Sequence, residues 1–167
     1  MRLSQDVEIT LSVALSEAAR LGHEYAGVEH LLLALAIDDD TARVLRHAGA
    51  PVETLRAGLE AWLAQEVPSA GAAGGEEVPR EPRLSLALQR TLARAAAQVE
   101  ASGREEVAGR DLLVALFAET GSAAVALLAE HGVSRLDVVR YIAHGVSRLE
   151  PSIPGAAPPP AGGGGPG

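Results

Sequence analysis

The chain has 167 residues, 47% of them hydrophobic and 2% aromatic, and its formal net charge is -8. The absence of Cys excludes disulfides, thiolate zinc ligands and cysteine nucleophiles, and the acidic balance disfavours nucleic acid as a partner. The chain starts without a basic, apolar leader, and its longest apolar run, Leu31 to Ile37, is too short to span a bilayer, so we expect a cytoplasmic protein with no membrane partner.

Leu and Ala dominate the apolar residues and few residues are β-branched, which favours helices over strands and predicts an all-α fold. The first half divides into four segments whose apolar residues have helical spacing. These segments are Ser4 to Leu21, with Ser4 as the cap; Val28 to Leu35, which is almost wholly apolar; Thr41 to Ala48, stopped by Gly49 and Pro51; and a fourth through Leu55, Leu59, Trp62 and Leu63.

The second half repeats this plan. A long helix carries the apolar stripe Leu84, Leu88, Leu92, Ala95 and Val99, and three shorter helices are predicted at Asp111 to Ala118, Ser122 to Glu130 and Ser134 to His144. Ser134 and Asp137 have the spacing of a capping box, which predicts the start of the last helix. Residues 23–35 align with residues 104–116 at a constant offset of 81, so a tandem duplication of a four-helix unit is the economical explanation.

Composition divides the chain into a domain and a tail. We predict one double-repeat domain over residues 1–148, made of repeat one at 1–65, a flexible linker at 66–83 and repeat two at 84–148. The linker is assigned because it has turn formers and charge but no periodicity. Residues 149–167 are rich in Pro and Gly, and they are predicted to form a disordered linker or tail because they cannot bury enough apolar surface to order.

Several stretches resemble a known family. The duplicated unit, the run Val28 to Leu35, the turn Ser102 to Arg104 and the block Val133 to Val139 are similar to the Clp N-terminal repeat domain. The last block continues into Tyr141 to Gly145, and this longer pattern resembles the ClpA branch rather than ClpB or ClpC. The resemblance covers about residues 1–148. It implies a docking domain of the kind that precedes the two ATPase rings of a protein unfoldase.

The resemblance also implies partners. Such a domain binds a ClpS-type adaptor and substrate polypeptides, and it serves ClpP-dependent proteolysis through the full-length unfoldase. The chain itself has no Gly-x-x-x-x-Gly-Lys-Ser/Thr loop and no Lys to form one, so we expect no ATPase activity and no cofactor in this chain. An alternative is a stand-alone Clp repeat protein that binds adaptors or exposed peptides without an ATPase. An enzyme would need a cluster of perturbed acids or bases, and the spacing indicates none.

Four charged residues are candidates for adaptor contacts. The resemblance implies contacts at Glu24 and Glu29, around the turn before the second helix, and at Arg90, on the exposed face of the fifth helix. Arg135 is a further candidate, because an Arg in the first turn of a helix opposes the helix dipole and would gain from a partner carboxylate. For the glutamates the alternative role is stabilisation of a helix N-terminus, and for Arg135 it is simple solvation. Gly27 stands where the family has a capping Thr, and it can cap only weakly.

Five histidines, at positions 23, 30, 47, 131 and 144, raise a metal site as an alternative function. His23 and His30 lack the His-Glu-x-x-His spacing and no Cys supports zinc binding, so we predict no metal site. His30 lies on an apolar helix and is interpreted as a hydrogen-bonded core residue. Trp62 and Tyr141 fall on apolar helix faces and are interpreted as core side chains.

Overall fold

The structure of the chain is a computed structural model, which describes residues 2–66 and 81–149. Over these residues it confirms the predicted all-α architecture of eight helices. The helices are α1 (Gln5–Arg20), α2 (Val28–Ile37), α3 (Asp39–His47), α4 (Val52–Glu66), α5 (Leu86–Ala101), α6 (Gly109–Leu116), α7 (Ala123–Glu130) and α8 (Arg135–His144). Four two-residue strands accompany them: β1 (Arg2–Leu3), β2 (Tyr25–Ala26), β3 (Arg83–Leu84) and β4 (Glu106–Val107). Most of the predicted linker and nearly all of the predicted tail lie outside the described residues.

Short parallel strand pairs cross between the two halves. β1 pairs with β4, placing Arg2 opposite Glu106, and β2 pairs with β3, placing Tyr25 opposite Arg83. Each half therefore pairs its first strand with the second strand of the other half. Because the strands are exchanged in this reciprocal way, the two repeats form one interlocked core rather than two separate units.

Helix α2 lies at the centre of this core. Eight of its ten residues are buried, and it packs against α1, α3 and α4 of its own repeat and against α5, α6 and α7 of the other. A helix that is apolar on all sides has to be surrounded by protein, which explains its sequence. Truncating one of its buried leucines to Ala would cost about 2–5 kcal/mol. None of the helices in the described ranges is long and apolar enough to cross a membrane.

Side-chain caps fix the helix starts where the sequence predicts them. The Ser4 hydroxyl accepts a hydrogen bond from the Val7 N–H at 3.1 Å and so begins α1. Ser134 and Asp137 form the predicted capping box of α8, since each side chain accepts a hydrogen bond from the other residue's N–H, at 3.2 Å and 2.9 Å. These local bonds satisfy N–H groups that the helix itself leaves without partners.

The third helix starts earlier than the sequence predicts, and the reason is local. The third helix begins at Asp39 rather than at Thr41, because the Asp38 carboxylate accepts the Thr41 N–H at 3.0 Å and caps the helix two residues earlier. The Thr41 hydroxyl in turn donates to the Leu35 carbonyl at 2.6 Å. Thr41 is therefore a buried link between the end of α2 and the first turn of α3.

The start of the fifth helix also differs from the prediction. Leu84 lies in β3 rather than on the apolar stripe of the helix, because Ser85 caps α5 by accepting the Leu88 N–H at 3.1 Å. Arg83, which the sequence assigns to the linker, is in the same strand. The strands were not predicted at all, since two residues carry no detectable periodicity.

The chain returns to repeat one after α8. The Arg148 N–H donates to the His47 carbonyl at 2.7 Å, at the end of α3. Its guanidinium donates to the Gly132 carbonyl and, at 3.1 Å, to the Asp137 carboxylate. Arg148 therefore joins the ends of α3 and α7, where a cation complements the helix dipoles, to the Asp137 carboxylate in the first turn of α8.

Candidate docking site

Glu24 lies at the exposed edge of the β2–β3 strand pair. Its Oε2 accepts a hydrogen bond from Arg83 Nη2 at 3.2 Å, and the same guanidinium donates to the Tyr25 hydroxyl at 3.2 Å and lies 5.2 Å from the Tyr25 ring centre. The side chains of Glu24 and Arg83 are both more than half exposed, so their ion pair adds little to stability. Both charged groups are accessible to a partner.

Apolar side chains lie beside this ion pair and form a shallow cleft of about 860 Å³. We term this surface the β2–β3 face; it consists of Leu15, Tyr25, Arg83, Leu86 and Gln89, with Glu24 at its edge. Leu86 is 71% exposed and Tyr25 is 45% exposed. Large apolar side chains that stay exposed beside charged groups are typical of protein contact surfaces.

Glu29 is engaged within the chain. Its Oε2 accepts hydrogen bonds from the backbone N–H groups of Ala123 at 2.8 Å and Ala124 at 3.3 Å, the first two residues of α7. A carboxylate at a helix N-terminus satisfies unpaired N–H groups and interacts favourably with the helix dipole. The half-buried Glu29 thus joins repeat one to repeat two. It stabilises the N-terminus of α7, which is distant from it in the sequence.

Arg90 forms a two-point ion pair with Glu119. Its Nε and Nη2 lie 3.1 Å and 2.7 Å from the two carboxylate oxygens, and Arg94 Nη2 adds a third bond at 3.1 Å. The hydrogen bonds from Arg90, and after them those from Arg94, hold the pKa of Glu119 below its ordinary value. The Glu119 side chain is 9% exposed, whereas that of Arg90 is 58% exposed. Two guanidinium groups share one carboxylate here, which leaves a surplus positive charge at the surface.

Arg135 is the first residue of α8 and is exposed, and over the described ranges no carboxylate pairs with it. It borders a groove of about 900 Å³ in the second repeat, which we term the repeat-two groove. The groove has an arginine rim and an apolar floor: Arg94, Arg104, Arg110, Arg135, Val114, Phe117, Val125 and Ile142.

The four predicted residues fall on adjoining surfaces rather than in one patch. Glu29 and Arg90 meet at the turn formed by residues 119–123, since Glu29 binds the end of this turn and Arg90 binds its beginning. Glu24 lies on the β2–β3 face, and Arg135 lies in the repeat-two groove. Helix α5 connects the two surfaces, because its first turn lines the face and its later turns line the groove.

The sequence reasoning missed Tyr25, Arg83 and Leu86, although a signal for them exists. The tripeptide Arg-Leu-Ser occurs at residues 2–4 and again at residues 83–85, at the offset that relates the two repeats. This match extends the duplication backwards and indicates that residues 83–85 fold in the same way as the start of the chain. Leu86 is also out of phase with the buried stripe of its helix, which predicts exposure.

Two histidines form a buried pair. His23 Nδ1 and His30 Nε2 are 3.0 Å apart, and His30 Nδ1 accepts the Gly27 N–H at 2.9 Å, so His30 is the hydrogen-bonded core residue that the sequence predicts. Burial, and after it the neighbouring His23, lowers the pKa of His30 to about 4. The equivalent positions of repeat two hold the Arg104–Asp111 ion pair. Asp111 accepts the Ala108 N–H and so caps α6, as His30 caps α2.

Trp62 and Tyr141 pack against the core as predicted. Trp62 and Tyr141 are partly buried against the core, and Tyr141 also stacks on His47 with ring centres 4.5 Å apart and ring planes 4° from parallel. Within the part of the chain that the structure describes, no three residues among His, Cys, Asp and Glu are grouped so that they could hold a metal ion.

Residues 2–131 match the model of the family described as Clp repeat (R) N-terminal domain. The chain is 39% identical over 147 residues to a ClpA homolog protein of Fuscovulum blasticum, a match that covers 87% of this chain and 18% of that protein. The Hsp104 N-terminal domain from Candida albicans has a TM-score of 0.73 at 16% identity, covering 90% of this chain and 96% of that one. A ClpV N-domain in complex with a VipB peptide has a TM-score of 0.64 at 18% identity, covering 89% and 91%. These structures share the fold, and the chain spans less than a fifth of its curated relative.

Proposed function

The chain belongs to the Clp repeat N-terminal domain family, and from this we propose that it is the adaptor- and substrate-docking domain of a ClpA-like AAA+ protein unfoldase. In this proposal the domain binds a ClpS-type adaptor and substrate polypeptides, and the full-length protein delivers them to ClpP. The domain acts by binding alone and needs no cofactor of its own. The ClpA homolog among its relatives supports the unfoldase assignment.

One observation carries the adaptor part of this proposal. The β2–β3 face combines two exposed apolar side chains, Leu86 and Tyr25, with the accessible carboxylate of Glu24. An apolar centre with a charged rim is the usual composition of a reversible protein interface, in which a few residues provide most of the affinity. The face lies on both repeats, so that it exists only when the interlocked core has formed.

The four predicted contact residues have different roles in the proposal. Glu24 binds the adaptor directly, exchanging its weak intrachain partner for a donor on the adaptor. Arg90 presents the surplus positive charge of its shared ion pair to the same partner. Glu29 fixes the turn that positions Arg90, and Arg135 contacts polypeptide from the repeat-two groove. Substitution of Glu29 is therefore expected to alter both stability and binding.

Calorimetric titration with a ClpS-type adaptor tests the proposal. We expect saturable one-to-one binding, which Glu24→Lys weakens by at least tenfold because it replaces an attraction with a repulsion. The matched control is Glu105→Lys, since Glu105 is the equivalent residue of repeat two and is likewise exposed beside an arginine, Arg2, at 3.8 Å. The control should bind as the parent chain does. Absence of adaptor binding by the folded chain, or equal loss in both variants, would contradict the assignment of the face.

The stand-alone Clp repeat protein remains the second candidate. A fold neighbour, the ClpV N-domain, is known as a complex with a VipB peptide, which supports peptide capture as a function that this fold can perform without any other domain in the complex. The reading frame downstream of residue 167 distinguishes the two candidates. An AAA+ module there supports the unfoldase, and a stop codon supports the stand-alone protein.

A further inference from the structure

Arg83 is held against Glu24 by its backbone and by its side chain. The Arg83 N–H donates to the Glu24 carbonyl at 3.0 Å, and the register of the strand pair places Arg83 opposite Tyr25. Its Nη2 donates to the Glu24 carboxylate and to the Tyr25 hydroxyl, each at 3.2 Å, while the guanidinium lies over the Tyr25 ring. Because the backbone is fixed by the strand pair, only the side-chain torsions of Arg83 can move its charge away from Glu24.

The second strand pair shows that this arrangement does not follow from strand pairing alone. Arg2 occupies the equivalent place in the β1–β4 pair, and its side chain is 68% exposed, as that of Arg83 is. The Arg2 guanidinium lies 3.8 Å from Glu105 and 3.7 Å from Glu106, distances longer than a hydrogen bond. Glu106 stands opposite Arg2 where Tyr25 stands opposite Arg83. The hydroxyl and ring of Tyr25 are therefore the contacts that distinguish Arg83 from Arg2.

The position of Arg83 matters for docking because Glu24 is the carboxylate that the proposed function assigns to the adaptor. A cation of the adaptor can bind this carboxylate only by displacing Arg83 or by sharing the carboxylate oxygens with it. One ion pair is then lost for each one gained. Because an exposed ion pair contributes little, the resulting reduction in affinity is only a few-fold.

We propose that Arg83 is an internal competitor of the adaptor: held by Tyr25, it covers the Glu24 carboxylate and so limits both the affinity of the β2–β3 face and the sensitivity of that affinity to salt. This inference rests on the proposed docking function and names the residue that regulates it. The expected sign is specific, since removal of a charged contact residue ordinarily weakens an interface, whereas removal of Arg83 strengthens this one.

Calorimetric titration of the full chain with a ClpS-type adaptor tests the proposal. We expect Arg83→Gln to bind about threefold more tightly than the parent at about 0.02 M salt, and equally at about 0.5 M, where exposed charges are screened. Binding by the parent should depend less on salt, because its number of ion pairs does not change. The matched control is Arg2→Gln, which changes the net charge equally at the equivalent position and should bind as the parent does.

A double variant shows whether the effect of Arg83 passes through Glu24. Once Glu24→Gln has removed the carboxylate, the further change Arg83→Gln should no longer tighten adaptor binding. Nuclear magnetic resonance of the Arg83 guanidinium follows the same contacts without the adaptor, by measuring rotation about the Nε–Cζ bond. This rotation should be slow in the parent chain and faster in both Glu24→Gln and Tyr25→Phe.

Several results would overturn the proposal. Weaker binding by Arg83→Gln would make Arg83 a direct contact for a carboxylate of the adaptor. Tightening that persists in the Glu24→Gln background, or that appears equally in Arg2→Gln, would be an effect of net charge alone. A guanidinium that rotates equally fast in the parent and in Tyr25→Phe would exclude the role of Tyr25. A parent chain that binds no adaptor would instead contradict the docking function, so the two failures are distinguishable.

Discussion

The buried pair of His23 and His30 predicts a loss of stability below neutral pH. His30 Nδ1 accepts the Gly27 N–H, so its single proton lies on Nε2 and is donated to His23 Nδ1. A second proton on His30 would have to occupy the nitrogen that caps α2. Protonation therefore breaks the cap and places a charge in the core, both of which disfavour the folded state.

The magnitude follows from the pKa of His30, which is about 4 in the folded chain against an ordinary value of 6.5. Above pH 6.5 the residue is neutral in both the folded and the unfolded state and has no effect. Below pH 6.5 the unfolded state binds a proton that the folded state does not, so the free energy of unfolding falls until the pH reaches about 4. The expected loss is about 2 kcal/mol between pH 7 and pH 5, and about 3 kcal/mol in total.

Urea unfolding followed by circular dichroism at pH 7 and pH 5 measures this loss in the parent chain and in His30→Asn. The Asn amide can accept the Gly27 N–H but does not titrate, so the variant should lose about 2 kcal/mol less than the parent over the same interval. Contributions from the carboxylates are common to both chains and cancel. An equal loss in the two chains, or a His30 ring that titrates near pH 6.5 by nuclear magnetic resonance, would refute the reasoning.

Two further substitutions test how much charged side chains of repeat two add to stability. Glu119→Gln should lower the free energy of unfolding by about 1–2 kcal/mol in the same urea experiment, because it leaves two guanidinium groups facing a neutral amide. The control is Glu130→Gln at an exposed position, which should change the free energy of unfolding by less than about 0.5 kcal/mol. Arg148→Ala should lower the melting temperature by several degrees, because it removes the side-chain bonds to the ends of α3 and α7 and to α8, whereas Arg140→Ala should not. Equal melting temperatures would mean that the Arg148 side chain adds no stability.

The helices could be predicted because their signals are local. Ser4 and Ser134 mark the first turns that they cap, and the apolar run beginning at Val28 indicates a helix buried on all sides. The third helix was misplaced only because Asp38, and not Thr41, provides its cap. Each of these signals acts over three or four residues, which is the range over which a sequence pattern can be read directly.

The candidate site was predicted less well because its contacts are long-range. Glu29 binds the start of a helix 94 residues later, and Arg110 binds Asp40 across 70 residues. No periodicity reveals which carboxylate meets which donor over such distances. The groove near Arg135 depends on how α8 packs against the other helices of repeat two, which is a property of the whole fold rather than of any segment.

The duplication offers a physical reason why the two halves differ. Both halves keep the buried positions that join them, such as Leu55 in α4 and its equivalent Val138 in α8. Outside this shared core the repeats differ. Repeat one has the buried His23–His30 pair and ends in the long helix α4, whereas repeat two has the Arg104–Asp111 ion pair at the equivalent positions and ends in the short helix α8. Apolar surface buried in repeat one contributes stability to the whole interlocked core. Repeat two can therefore leave part of its apolar surface exposed in the repeat-two groove without unfolding the domain, whereas exposure in both repeats would leave too small a core.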